Sequence, residues 1–260
     1  MIHPLKSFYY NLYMKVVISL TSIPSRFISL PIVIDRLTHQ TCHEIWLNIP
    51  KSYNRFPEWD KSFPLDFFNF GSKLKINFEC EDLGPGTKVI APAQHLDPED
   101  IIVYLDDDTN YDPKLVMNLL KWFKTDEKSA WGLSGFTFDN YFQKRYPRQH
   151  GLPMDVLEGY GAVIVKAGWI QKLTEEFKEL REEARAADDV ILSNLLTKQG
   201  VTLRTVYTAE CHIGHIQQLP YGFGPDALHH QFQGGHHENY LNVLKSLEVK
   251  GKSYFKYRCS

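Results

Sequence analysis

The chain has 260 residues, 43% of them hydrophobic and 23% charged, with a formal net charge of −2. That length can bury a substantial core, and the near-neutral balance shows neither a strongly basic face for nucleic acid nor an acidic tail, although a neutral total can contain a local patch. The four cysteines, at 42, 80, 211 and 259, form no close Cys-x-x-Cys pair, so neither a structural zinc site nor a disulfide framework is expected, and a reducing cytoplasm fits. The opening stretch MIHPLKSFYYNLYMK lacks the apolar run of a signal peptide, and no segment approaches the roughly 18 apolar residues of a membrane helix. Any work at a membrane would be peripheral.

Residues 15–21 (KVVISLT) are a β-branched run that reads as a buried strand. Helical spacing follows over 29–39 at Leu30, Ile34 and Leu37, with Pro31 tolerable in a first turn. A strand at 44–49 completes a βαβ opening, the unit of a parallel sheet. Residues 50–73 lack periodicity and read as a loop with short helical pieces. A strand at 74–79, a turn at Asp82-Leu83-Gly84-Pro85-Gly86 and a short helix near 87–95 come next. IIVYL (101–105) is continuously apolar, as a central parallel strand should be. Asp112-Pro113 opens a helix over 113–124, Asp as cap and Pro at the first position. Strands are expected at 130–134 and 156–165 with a polar, aromatic loop between them. Helices at 170–183 and 188–199, the latter stopped by Gly200, lead to a last strand at 201–207. A helix over 236–248 ends the pattern. With no repeat and no linker, one α/β domain over 1–260 is expected.

Asp106-Asp107-Asp108 stands where the most apolar strand ends. Ligands of open α/β sheets bind beyond the carboxyl ends of the strands. Adjacent carboxylates repel unless a cation offsets them, and hard oxygen ligands suit magnesium or manganese bridged to phosphates. The alternative is a solvated turn or helix cap, a role that Asp112 already fills. Arg26 reads either as a surface arginine at a helix start or as the partner of an anion, because the dipole disfavours a cation there. Lys88, beyond the Gly-Pro-Gly turn, points to solvent or to a phosphate. Asp188-Asp189 opens a helix; the pair reads either as helix N-terminal carboxylates or, since one acid is enough to cap, as holding a general base, Asp189 ahead of Asp188. Glu158-Gly159-Tyr160-Gly161-Ala162 marks a bulge or a close ligand approach.

The ordered set resembles the nucleotide-sugar domain of GT-A fold glycosyltransferases: a strand with Thr21-x-x-Pro24-x-Arg26, then Asp82-x-Gly84-Pro85-x-x-Lys88, then the aspartates after an apolar strand, then Asp188-Asp189-Val190 at a helix start. It is similar to small bacterial and large-DNA-virus members, of family 2-like type, that begin "SLTSIPSR", over about residues 15–210. The resemblance implies a mostly parallel central sheet flanked by helices, a nucleotide-sugar half at 15–110, an acceptor and catalytic half at 111–210, and a C-terminal tail. It implies Mn²⁺ or Mg²⁺ on Asp108, with Asp106 near the metal or ribose and Asp107 near the sugar. Thr21, Arg26, Asp82 and Lys88 would line the donor pocket. His215, in His212-x-x-His215, could complete the metal site; surface and cap roles are the alternative. The expected reaction is inverting transfer from a UDP-linked or other nucleoside diphosphate-sugar to a hydroxyl of a glycan or related acceptor.

Aromatics at 136–146 could stack on sugar rings or pack a satellite core, and Gly-Gly-His-His at 234–237 could form a flap. Two other functions fit parts of the pattern. A sugar-phosphate nucleotidyltransferase would want a glycine-rich loop after the first strand, where this chain has Ser-Ile-Pro-Ser-Arg. A carbohydrate-binding protein without catalysis would bind sugar with neither metal nor nucleotide.

Overall fold

The computed structural model describes residues 14–139, 143–180, 182–230 and 242–243. The expected helix over 236–248 lies almost wholly, and the Gly-Gly-His-His stretch, Tyr141 and Phe142 entirely, outside the described residues.

The opening βαβ unit forms as its pattern dictates. Strand β1 (Val16–Thr21) buries both faces. Helix α1 (Leu30–Thr38) carries Pro31 in its first turn and buries Leu30, Val33, Ile34 and Leu37, one stripe at helical spacing. Strand β2 (Glu44–Asn48) returns parallel to β1, and β3 (Leu74–Asn77) extends the sheet. The intervening loop holds only 3₁₀ turns at Leu65–Phe67 and Gly71–Lys73. Helix α2 (Thr87–Ala93) is buried along its whole length. Strand β4 (Ile101–Tyr104) lies parallel on the other side of β1, with Ser19 opposite Tyr104.

After the aspartates come β5 (Thr109–Asn110) and α3 (Leu115–Phe123). Asp112 accepts the Lys114 N–H at 2.7 Å and its carbonyl accepts that of Leu115, so it caps the turn that leads into α3. Strands β6 (Ser129–Gly132), β7 (Gly135–Phe138), β8 (Lys144–Arg145) and β9 (Val156–Leu157) follow, then β10 (Val163–Lys166). The expected loop after β6 therefore contains β7 and β8, which join β9 in a three-stranded sheet of order β8-β7-β9, and the strand expected over 156–165 is divided into β9, a 3₁₀ turn and β10. Phe136 and Phe138 are fully buried, in the main core and not in a satellite one, because residues two apart on a β-strand share a face. Helices α4 (Ala167–Lys178), α5 (Glu182–Arg185) and α6 (Asp188–Lys198) precede β11 (Thr202–Thr205). Gly200, at φ +82°, stops α6 by adopting a left-handed conformation that side chains disfavour. Strand β12 (Gln217–Gln218) pairs antiparallel with β5.

The main sheet has seven strands in the order β11-β6-β10-β4-β1-β2-β3. Only β10 runs against its neighbours, so the sheet is mostly parallel. Residues alternate between two cores along each strand: Val17, Ile102 and Val163 face α2, α4 and α6, whereas Ile18, Val103 and Ile164 face α1 and α3. The result is a sheet with helices on both faces, which leaves its carboxyl edge open. Among the described residues no helix is long and apolar enough to cross a membrane.

Candidate active site

β1 and β4 are adjacent and parallel, so the loops after them emerge side by side at the carboxyl edge. The end of β1 delivers Thr21 and the loop after it Ser22 and Arg26; the loop after β4 delivers the aspartates. The turn before α2 and the first turn of α6 close on the same space. Together they line a cavity of about 330 Å³ that contains Thr21, Arg26, Asp82, Lys88, Asp106, Asp107, Asp108, Asp188 and Asp189. Every donor-site residue expected from the sequence is in this wall except His215.

Arg26 faces the aspartates. Its Nη1 donates to Asp107 Oδ1 at 2.6 Å and to Asp108 Oδ2 at 3.0 Å. The second oxygen of Asp107 accepts the Ser22 hydroxyl. Burial works against the guanidinium charge, but Asp107 and then Asp108 outweigh it and hold its pKa above the ordinary value. Burial, then Asp106 and Asp107, push the Asp108 carboxyl up to about 7, with Arg26 opposing. The anion that a cation at a helix start called for is therefore, first of all, the protein's own.

Lys88 is neither solvent-exposed nor waiting for a phosphate alone. Its side chain is 4% exposed, 2.8 Å from Asp106 Oδ1 and 3.2 Å from Asp188 Oδ2. Burial opposes its charge, and Asp106, Asp188 and Asp189 more than restore it. Asp189 Oδ1 accepts the backbone N–H of Gly159 at 2.9 Å. Burial, then Asp188, raise the Asp189 pKa, against the pull of Lys88. A carboxylate so placed is a stronger base than one in water.

Thr21 and Asp82 serve the wall itself. The Thr21 hydroxyl donates to the Asn48 carbonyl at 2.7 Å. Asp82 accepts the N–H groups of Asn54 at 2.8 Å and Gly84 at 2.9 Å, fixing the loop after β2 against the turn. On the far side, Glu158 is buried; Ser134 donates to it at 2.6 Å and Tyr146 at 3.3 Å. Burial raises its pKa. The Glu158–Ala162 segment is thus a 3₁₀ turn feeding β10 beside the cavity, not a plain edge bulge.

The tail after β11 supplies a wall that sequence reasoning did not foresee. Leu219 N–H donates to the Asp108 carbonyl at 2.6 Å, and the Tyr221 hydroxyl to the Asp107 carbonyl at 3.1 Å. Asp226 accepts the Ser25 hydroxyl, and its carbonyl accepts Arg55. The sequence signal for this strap is the turn-rich Pro220-Tyr221-Gly222-Phe223-Gly224-Pro225. His215 does not line the cavity; its ring lies 4.0 Å from that of His212, centre to centre. The His215 N–H donates to the His212 carbonyl at 2.9 Å, and this tight turn brings the two rings together, tilted at 53°. His230 is exposed.

Among the described residues no group of three or more His, Cys, Asp or Glu side chains is arranged to hold a metal ion. The donor set still suits a hard divalent cation. Magnesium is held by one or two carboxylates, substrate phosphates and water, without an all-protein cage. The cavity wall carries eight carboxyl groups against three cationic side chains, an excess that would repel a diphosphate unless a cation joined it.

No family model matches the chain, and no curated protein matches it. Among solved structures it is similar to "Crystal structure of GalNAc-T7 with UDP, GalNAc and Mn2+", with a TM-score of 0.54 and 12% identity, over 89% of this chain and 48% of that one. The chain spans about half the length of that protein. A crystal structure of 4-diphosphocytidyl-2C-methyl-D-erythritol synthase superposes with a TM-score of 0.49 and 10% identity, over 77% of this chain and 92% of that one. At 12% identity the likeness to the first of these is one of fold. The fold of this chain is the expected α/β type, a mostly parallel sheet flanked by helices, as in the first of these neighbours.

Proposed function

We propose that the chain is a metal-dependent glycosyltransferase that moves a sugar from a nucleoside diphosphate-sugar, UDP-linked, to a hydroxyl of a glycan or related acceptor. The observation that carries this reading is the convergence on one cavity of Asp106–Asp108 from the loop after β4, Lys88 from the first turn of α2 and Asp189 from the first turn of α6. The similarity to a protein crystallised with UDP, GalNAc and Mn2+ supports the donor class.

The first half of the chain, 15–110, would hold the donor and 111–210 the acceptor. Mn²⁺ or Mg²⁺ would be held by Asp108 and Asp106, and when bound it supplies positive charge to the departing diphosphate. Asp107 has both oxygens engaged, by Arg26 and Ser22, which leaves it a positioning role. Asp189 takes the proton of the acceptor hydroxyl as that oxygen bonds to the anomeric carbon. The anomeric carbon–oxygen bond to the diphosphate breaks, its electron pair stays with the diphosphate, and the anomeric configuration inverts. Lys88 holds Asp106 and Asp188 in place and opposes the upward shift of the Asp189 pKa.

Calorimetry with UDP, with and without Mn²⁺, tests the donor site, and a thermal-shift screen of nucleotide-sugars with Mn²⁺ identifies the donor by mass action. A specific donor raises the melting temperature. Absence of UDP binding under both conditions sinks the reading.

A further inference from the structure

Arg26 stands where the cavity's negative charge is densest. It grips Asp107 and Asp108 with one nitrogen, Nη1. Its Nε–H is buried and has no hydrogen-bond partner among the described residues. A guanidinium presents five donors in a rigid fork, and it is built to bind two anionic groups at once. Here one side of the fork is committed to carboxylates while a buried donor on the same group is left over. Asp107 is the firmer partner, at 2.6 Å against 3.0 Å for Asp108, and Ser22 braces it from its other oxygen.

We infer that Arg26 is an internal counter-ion that competes with the divalent cation for Asp108, so that metal enters only together with the diphosphate. This rests on the glycosyltransferase reading of the site. Without donor, Arg26 neutralises Asp108 and repels a second cation. With donor, the diphosphate offers the spare Nε–H an acceptor and supplies the negative charge that metal needs. Arg26 then stays anchored on Asp107 while Asp108 is released to the metal. Asp107 is a positioning residue in this scheme, which divides the labour among three adjacent carboxylates.

The test reads metal binding, not transfer. Mn²⁺ binding to the full chain is measured by electron paramagnetic resonance, with and without UDP. Wild-type protein is expected to bind Mn²⁺ weakly alone and much more tightly with UDP. Arg26→Gln removes the positive charge and is expected to bind Mn²⁺ alone at least about tenfold more tightly than wild type, since one unit charge at such contact distances is worth that or more in a partly buried site. Arg55→Gln removes a cation from the same cavity whose guanidinium donates to the Asp226 carbonyl; it should change the Mn²⁺ affinity by less than about threefold if the Arg26 contact, not general field, is responsible. Arg26→Lys keeps the charge, guards against misfolding, and should stay as weak as wild type without UDP. Equal Mn²⁺ affinity of Arg26→Gln and wild type, an equal gain in Arg55→Gln, or a tenfold gain in Arg26→Lys each overturns the inference and leaves the glycosyltransferase reading standing. Absence of Mn²⁺ binding in every protein, even with UDP, overturns both.

Discussion

Lys88 Nζ lies 3.2 Å from Asp188 Oδ2, and both side chains are about 95% buried, at 4% and 5% exposure. This pair ties the start of α2 to the start of α6, elements one hundred residues apart in sequence. It joins the two halves of the cavity through charge, with Asp106 on the other side of the ammonium.

Replacing Lys88 by Met would leave buried carboxylates without their cation. Breaking a buried ion pair by removing one partner costs about 3–5 kcal/mol. Lys88→Met is therefore expected to lose stability on that scale in urea unfolding. A loss below about 1 kcal/mol would mean that water reaches these groups freely.

Asp189→Asn keeps an oxygen to accept the Gly159 N–H but cannot take a proton at neutral pH. Turnover should fall by about 10²–10⁴-fold while UDP binding is spared. A normal transfer rate in this variant excludes Asp189 as the base.

The same substitution predicts a pH effect on stability. The Asp189 pKa is raised above its ordinary 3.8 in the folded state, by burial first and by Asp188 second. A carboxyl raised in this way favours folding below its unfolded pKa, and that contribution is lost as pH rises through the folded value. Asp189→Asn removes the titration, so its stability should gain on wild type as pH rises from about 4 to 7. Parallel denaturation curves of the two proteins across that range, with a constant gap, would contradict the placement of the carboxyl.

Asp108→Ala should abolish the Mn²⁺-dependent part of UDP binding. The protein should still fold, because Arg26 keeps Asp107 at 2.6 Å. Calorimetry that finds UDP binding still enhanced by Mn²⁺ would move the metal to another ligand set.

Gly222 presses on the same carboxylate. A Cβ there would meet Asp108 Oδ2 at 2.6 Å and Cγ at 2.8 Å. Gly222→Ala must displace the Asp108 side chain or the strap, and misplacements of this order cost up to about 10²-fold in rate. Turnover should drop with little change in melting temperature, since the residue lies at the cavity wall. Unchanged kinetics would show that the strap moves aside without consequence.

By itself the sequence determined most of the elements and marked the candidate site. The β-branched runs of β1 and β4, the Leu30–Leu37 stripe of α1, the Asp112 cap and the Gly200 stop are local, and local periodicity and backbone preference act over a few residues. A carboxylate cluster at the end of an apolar strand is likewise local, and the open edge of a parallel sheet makes it a site. What only the tertiary structure decided are the partners. Arg26 meets Asp107 across 81 residues, and Tyr221 reaches the Asp107 carbonyl across 114. The reversed direction of β10, the strand at Gly135–Phe138 and the pairing of His215 with His212 away from the aspartates belong to the same class. Charge and hydrogen-bonding capacity are written in single residues, but which opposite charge or acceptor satisfies them depends on which distant loops the packed sheet brings to one edge.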